Sequence, residues 1–174
     1  LLGQPLLVTG EPGCGKTAFA YWLARQLGLG EPLVDVVKST STGRDLLYEF
    51  DSLARFRDSQ KQIEPDGGDE YYVRFRPLGA AIAAAADPAT LSFTLHRRVL
   101  DVTGIHTADR SRRVVLIDEL DKAPRDTPND LLHEIDRMDF SVTEIDRKIE
   151  GDSAFRPIVV ITSNSEKSLP DPFL

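Results

Sequence analysis

The sequence has little cysteine and no long apolar run, and both absences narrow the kind of protein it encodes. Cys14 is the single cysteine of the 174 residues, so no disulfide can form within the chain. One thiol without a partner fits a reducing compartment, and we expect a cytoplasmic protein. No apolar run approaches the roughly 18 residues that span a bilayer, and no signal peptide is visible.

An excess of positive charge is also absent. Lys and Arg number 21 against 28 Asp and Glu, which gives a formal net charge of −7. This balance argues weakly against indiscriminate binding to a nucleic-acid backbone, although it leaves room for a local basic groove. The length fits one domain. The chain begins without Met and ends without a polar tail, so we expect a domain of a longer protein.

Four short segments, apolar apart from Asp35, predict buried strands. They lie at residues 6–8, 33–37, 114–117 and 158–161, and helical patterns separate them. Continuous apolar strands that alternate with helices are typical of a parallel sheet covered on both faces. We therefore predict an α/β fold, a three-layer sandwich with a mainly parallel sheet, over residues 1–174.

The segments between these runs predict further elements. Helices are expected at residues 17–27, 43–57, 77–87 and 91–102 and from Thr127 onward, a short strand at 71–75 and a hairpin at 140–149. The apolar face of the second helix would comprise Leu46, Leu47, Phe50, Leu53 and Ala54. Thr127 is expected to cap its helix.

Residues 10–17 match the pattern G-x-x-x-x-G-K-[ST] in full, between a predicted strand and a predicted helix. Glycines let the backbone curl into a nest of N–H donors around an anion, and the helix adds the positive end of its dipole. Lys16 offers charge to the β- and γ-phosphates of a nucleotide, and Thr17 offers a hydroxyl to Mg²⁺. The predicted nucleotide-binding residues are Gly10, Glu11, Pro12, Gly13, Cys14, Gly15, Lys16, Thr17 and Ala18.

Two carboxylates end the third predicted strand. Ligands of open α/β sheets bind beyond the carboxyl ends of the strands, where the phosphate loop already lies. Asp118 is therefore predicted to hold the Mg²⁺ hydration shell, and Glu119 to polarise the water that attacks the γ-phosphate. The alternative, a pair of acidic residues that simply ends a strand, loses weight because the phosphate loop is in the same chain.

Asn164 follows the fourth predicted strand, so its side chain should reach the same edge. A neutral amide there would orient the attacking water or touch the γ-phosphate. A simple turn-forming asparagine is an equally good interpretation of this residue alone. The predicted catalytic set is Lys16, Glu119 and Asn164, and the predicted metal ligands are Thr17 and Asp118.

These segments together resemble an AAA+ ATPase, a class of P-loop NTPase. Residues 10–17 are similar to the Walker A motif, residues 116–119 to Walker B and residues 161–164 to the sensor 1 strand. Residues 117–124, followed by a helix with Asn129 and Asp130, are similar to the MoxR-like branch. The resemblance covers about residues 3–174.

The resemblance implies ATP and Mg²⁺ as cofactors and a ring, commonly a hexamer, that acts on a client or effector protein. A neighbouring subunit would supply an arginine finger, and relatives place that arginine after a segment like residues 169–174. The helical lid would be absent, so the isolated chain should hydrolyse ATP poorly. Relatives also restrain the catalytic glutamate from the end of the second strand, where Lys38, Ser39 and Thr40 are candidates.

Three other functions are compatible with these motifs. A small-molecule kinase shares the phosphate loop, although residues 118 and 119 favour water as the phosphoryl acceptor. An assembly switch would use ATP binding with incidental hydrolysis. A nucleic-acid motor has a related core, and the net charge of −7 weighs weakly against it. A GTPase is disfavoured because no Asn-Lys-x-Asp segment is present.

Overall fold

Thirteen helices and strands make up the part of the chain that the computed structural model describes, which is residues 3–104, 111–124 and 126–164. In chain order they are β1 (Leu6–Gly10), α1 (Lys16–Gln26), β2 (Leu33–Val36), β3 (Tyr48–Phe50), α2 (Ser52–Gln60), β4 (Val73–Phe75), α3 (Pro77–Ala84), α4 (Phe93–Thr103), β5 (Val114–Asp118), α5 (Thr127–Arg137), β6 (Asp139–Val142), β7 (Arg147–Glu150) and β8 (Ile158–Asn164). Short 3₁₀ turns join several of them. None of these helices is long and apolar enough to cross a membrane.

The central sheet contains four parallel strands in the order β1-β8-β5-β2. All four correspond to the apolar runs of the sequence. Gly10 at the end of β1 is level with Asn164 on β8, and Val36 on β2 is level with Asp118 on β5. The register therefore brings the carboxyl ends of the strands, and the residues that follow them, to one edge.

Alternate residues of β5 face opposite sides of the sheet, as the two-residue period of a strand requires. Val114 and Leu116 belong to a small apolar cluster with Ala20 and Ala24 of α1. Ile117, with Val115, belongs to the larger cluster that contains residues of α3, α4 and α5. Helices thus cover both faces, and the predicted three-layer α/β fold is confirmed.

The predicted helix over residues 43–57 is wrong. That segment contains a 3₁₀ turn at Arg44–Leu46, then β3, and only then α2, whose first turn is capped by the Asp51 carboxylate. Tyr48–Phe50 pairs antiparallel with β4. Of the predicted apolar face, Leu46 and Leu47 are buried while Leu53 is 68% exposed. Pairing with a strand more than 20 residues away overrides the local helical pattern.

Most other expected elements are present, with shifted ends. The hairpin forms from β6 and β7, and the strand expected at 71–75 is confined to β4. The prediction that Thr127 caps α5 is wrong. Thr127 is the first residue of the helix, and its hydroxyl donates to the backbone carbonyl of Ser41 at 3.1 Å. The side chain ties α5 to the segment after β2 instead of bonding its own helix.

Candidate functional site

The loop between β1 and α1 has the backbone of an anion nest. Gly13 and Gly15 have φ of 82° and 91°, a conformation that residues with a Cβ rarely adopt. Gly15 precedes the first residue of α1, and no side chain caps that helix. The first N–H groups of α1 are therefore left for a ligand, and the positive end of the helix dipole adds attraction for an anion.

Lys16 is held in this loop by neutral groups. Its Nζ donates to the carbonyl oxygens of Gly10 and Glu11 at 2.8 and 2.9 Å and to Oδ1 of Asn164 at 3.0 Å. Among the residues the structure describes, no carboxylate forms a salt bridge with this ammonium group. A half-buried cation with neutral partners, next to uncapped N–H groups, is a site prepared for a negatively charged ligand.

Thr17 and Asp118 meet across the gap between the loop and β5. The Thr17 hydroxyl donates to both carboxylate oxygens of Asp118, at 3.1 and 3.3 Å. Hydroxyl and carboxylate oxygens are hard ligands of the kind Mg²⁺ prefers. The two residues predicted as metal ligands therefore lie together.

Glu119 follows Asp118 in a left-handed conformation, with φ 61° and ψ 45°. Its carboxylate forms an ion pair with Lys122 at 2.5 Å, and this hydrogen bond raises the pKa of the Lys122 ammonium group. This ion pair joins Glu119 to a residue of its own turn and not to residues 38–40, which follow β2. The backbone N–H of Lys38 donates to the hydroxyl of Ser41. The prediction that Lys38, Ser39 or Thr40 restrains Glu119 remains untested.

Asn164 joins the loop to β8. Besides accepting the bond from Lys16, it donates its backbone N–H to Oδ1 of Asp121 at 3.0 Å. The structure therefore places all three predicted catalytic residues, Lys16, Glu119 and Asn164, at the same edge of the sheet. Their catalytic roles remain predictions. The segment at residues 169–174, expected before an arginine finger, lies outside the described residues.

The donor set fits a magnesium-bound nucleotide. No group of three or more His, Cys, Asp or Glu side chains suited to a metal ion occurs in the described ranges. Mg²⁺ typically needs only one or two protein oxygens because phosphate oxygens and waters complete its shell. Thr17 and Asp118 supply such a pair, beside a loop that is suited to phosphates.

Two contacts in this site, those of Thr162 and Lys122, were not predicted from the sequence. Thr162 is fully buried on β8 and contacts both Asp118 and Glu119. The change from apolar to polar residues at Thr162, before the end of a strand predicted to be buried, was the available signal for Thr162. The spacing of three residues between Glu119 and Lys122 was the signal for the ion pair.

A parallel sheet with a glycine-rich loop after its first strand, and two carboxylates after another strand at the same edge, defines the class of P-loop nucleotide-binding proteins. The comparisons with known proteins specify the family. A family model described as an AAA domain matches residues 2–149. Because the match covers most of the sequence, the chain belongs to the AAA domain family, a family of nucleotide-binding and nucleotide-hydrolysing modules.

Two relatives show how far the similarity extends. RuvB-like 2 of Caenorhabditis elegans is 51% identical over 39 residues, which cover 22% of this chain and 9% of that protein. A putative adenylate kinase of Pyrococcus furiosus is 27% identical over 150 residues, which cover 74% of this chain and 82% of that protein. The chain thus spans only a small part of the first relative and most of the second.

Proposed function

We propose that this chain is the ATP-binding and ATP-hydrolysing module of a MoxR-like AAA+ ATPase that remodels partner proteins. One observation carries the proposal of ATP hydrolysis. At the carboxyl edge of the sheet, Lys16 donates to Asn164 at 3.0 Å, and the next residue of the loop, Thr17, donates to Asp118 at 3.1 Å. The MoxR-like assignment rests on the similarity of residues 117–124 and on the hairpin of β6 and β7.

Each residue of the set has a distinct task in this proposal. The loop N–H groups and Lys16 hold the phosphates, and Lys16 exchanges its neutral partners for phosphate oxygens. Thr17 and Asp118 would hold Mg²⁺, which when bound neutralises charge on the β- and γ-phosphates. Glu119 polarises the attacking water, and Asn164 orients that water or contacts the γ-phosphate.

The test is phosphate release in single turnover, with protein in excess over MgATP. We expect slow release, because hydrolysis relies on an arginine from a neighbouring subunit. Glu119→Gln should slow it further by about 100- to 10,000-fold, the usual contribution of a general base. A matched control, Glu64→Gln, changes an exposed glutamate in the loop before β4 and should leave release unchanged.

Two results would contradict this assignment. Glu119→Gln releasing phosphate at the wild-type rate would remove Glu119 from the general-base role. Fast release by the isolated chain would remove the need for a neighbouring subunit. Calorimetry on the same variants separates binding from chemistry, because Glu119→Gln should leave the Kd for MgATP within about threefold of wild type.

A nucleoside monophosphate kinase is the second candidate, favoured by the 27% identity with the putative adenylate kinase. A kinase would transfer the γ-phosphoryl group to AMP and form two ADP. Incubation with MgATP and AMP, followed by ³¹P NMR, distinguishes the two reactions. We expect inorganic phosphate with no dependence on AMP, because Glu119 beside the site favours water as acceptor. AMP-dependent formation of ADP would favour the kinase.

The proposal extends to assembly. A MoxR-like module is expected to form a ring, commonly a hexamer, with a client or effector protein as its substrate. Light scattering of the longest available form of the protein, with and without MgATP, tests this expectation. A nucleotide-dependent increase to about six times the monomer mass supports the ring, and an unchanged monomer argues against it.

A further inference from the structure

Thr162 is a polar side chain that lies fully buried in the central sheet. It lies on β8 after Val159, Val160 and Ile161, and its exposed fraction is 0%. A hydroxyl removed from water is tolerated when it is hydrogen-bonded, so its partners reveal its role.

Both partners of this hydroxyl belong to the acidic pair, Asp118 and Glu119, at the end of β5. The Thr162 Oγ1 donates to Oδ1 of Asp118 at 2.5 Å and accepts the backbone N–H of Glu119 at 2.9 Å. One atom therefore contacts the carboxylate proposed to hold Mg²⁺ and the backbone of the proposed general base. Thr17 reaches the same carboxylate from the phosphate loop at 3.1 Å. The Asp118 carboxylate is thus held from two sides.

The bond to Glu119 stabilises an unusual turn. Glu119 has φ 61°, a region that residues with a side chain rarely populate. Such conformations persist where surrounding contacts hold them, and they concentrate at functional sites. The N–H of Glu119 is bonded to a side chain of β8, and the Glu119 carbonyl accepts the N–H of Lys122 at 3.0 Å. The turn that redirects the chain after β5 is therefore fixed to β8.

We propose that Thr162 is the positioning residue of this site. Its hydroxyl orients the Asp118 carboxylate for Mg²⁺ and fixes the backbone from which the Glu119 side chain extends. A second bond, from the N–H of Asn164 to Asp121, ties the same two segments together. The inference rests on the proposed function, since it assigns a role toward Mg²⁺ and ATP. The hydroxyl of Thr162 bonds Asp118 and Glu119, so its proposed effect on metal and nucleotide acts through these two residues.

The experiment compares Thr162→Val, which keeps the shape and removes the hydroxyl, with Thr162→Ser, which keeps the hydroxyl. Calorimetry gives the Kd for ATP in EDTA and the Kd for ATP in Mg²⁺. The first Kd divided by the second is the gain in affinity due to the metal. Loss of a group that orients a metal ligand typically weakens metal affinity by about 10- to 100-fold. We expect Thr162→Val to lower the gain by at least tenfold and Thr162→Ser to keep it within about threefold.

Affinity for ATP in EDTA should stay within about threefold of wild type in both variants, because the loop contacts of Lys16 do not involve Thr162. The matched control is Thr103→Val. Thr103 is also a buried threonine, and its hydroxyl donates to the Val99 carbonyl within α4, away from the site. This control should retain the full gain from Mg²⁺.

A readout without nucleotide separates a local effect at Glu119 from poor folding of Thr162→Val. The exchange rate of the Glu119 amide proton, followed by NMR in the apo protein, should be slow in wild type and in Thr162→Ser. If the Glu119 amide of Thr162→Val exchanges faster than that of wild type, while the amides of β1 exchange at the wild-type rate, the inference is supported.

Two results would overturn it. One is a folded Thr162→Val that keeps the full gain from Mg²⁺, and the other is Thr162→Ser losing the gain despite its hydroxyl. Wild-type protein that binds no ATP would instead refute the proposed function, while the Glu119 exchange rate still reports the hydrogen bond.

Discussion

Gly79 provides a stability test whose size follows from the structure. It is buried in α3, and a Cβ at this position would lie 1.9 Å from the carbonyl oxygen of Leu47 and 2.7 Å from its carbonyl carbon. Ordinary carbon–oxygen contacts are about 3.3–3.6 Å, so the two segments would have to separate by about 1.5 Å. The same oxygen accepts the N–H of Arg76 at 2.9 Å, so movement would also strain that bond.

Overpacking typically destabilises by about 1–3 kcal/mol, and a clash with backbone lies at the upper end. Alanine is preferred to glycine in a helix by about 1 kcal/mol, which offsets part of the loss. Gly79→Ala should therefore lower the free energy of unfolding by about 2 kcal/mol. For a protein of this length, this corresponds to a fall in Tm of about 4–8 °C.

Urea denaturation followed by circular dichroism measures this change. Ser59→Ala is the control, because it introduces alanine on exposed α2 without a close contact. It should raise stability by about 0.5 kcal/mol or less. If Gly79→Ala were as stable as wild type, α3 would not pack on the segment before β3 as described.

Two further predictions concern ion pairs. Lys122→Met should raise single-turnover hydrolysis by no more than about fivefold, because it frees Glu119 from a pair that is partly exposed and therefore weak. Glu144→Gln should make the free energy of unfolding depend less on pH, as measured by urea denaturation between about pH 3 and pH 6. Burial raises the pKa of Glu144, but its own backbone N–H, the Tyr48 hydroxyl and Arg44 outweigh burial and hold the pKa below the ordinary value of 4.5. Glu144 therefore stabilises the fold above that value, and wild type loses this contribution as the pH falls.

Each prediction has a contrary outcome. A loss of hydrolysis greater than tenfold in Lys122→Met would mean that Lys122 acts on the phosphates instead of restraining Glu119. Equal acid dependence in wild type and Glu144→Gln would mean that the contacts around Glu144 do not persist in solution.

The phosphate loop and the acidic pair were predictable because their chemistry is local in sequence. A contiguous glycine-rich loop between a strand and a helix specifies the nest, and parallel strands bring their carboxyl ends to one edge. Asn164 was predicted on the same grounds to reach the edge where the phosphate loop lies, and its Oδ1 is 3.0 Å from the Nζ of Lys16 in that loop.

The pairing of β3 with β4 was not predictable in the same way. Residues 46–54 carry a helical apolar period, but the structure is decided by antiparallel pairing with Val73–Phe75. The role of Thr162 depends on strand order, since β8 must lie beside β5 for its hydroxyl to reach Asp118. Contacts of this kind follow from tertiary structure and are not encoded in local spacing.

The proposed function requires that residues 10–17 bind the phosphates of ATP. Its most direct test is calorimetric titration with MgATP, MgADP and MgGTP, using wild type, Lys16→Ala and the control Lys61→Ala, which alters an exposed lysine after α2. We predict that wild type and Lys61→Ala bind the adenine nucleotides and bind MgGTP far more weakly, while Lys16→Ala binds none of them. Wild type that binds no nucleotide, or Lys16→Ala that binds MgATP as wild type does, would contradict the claim.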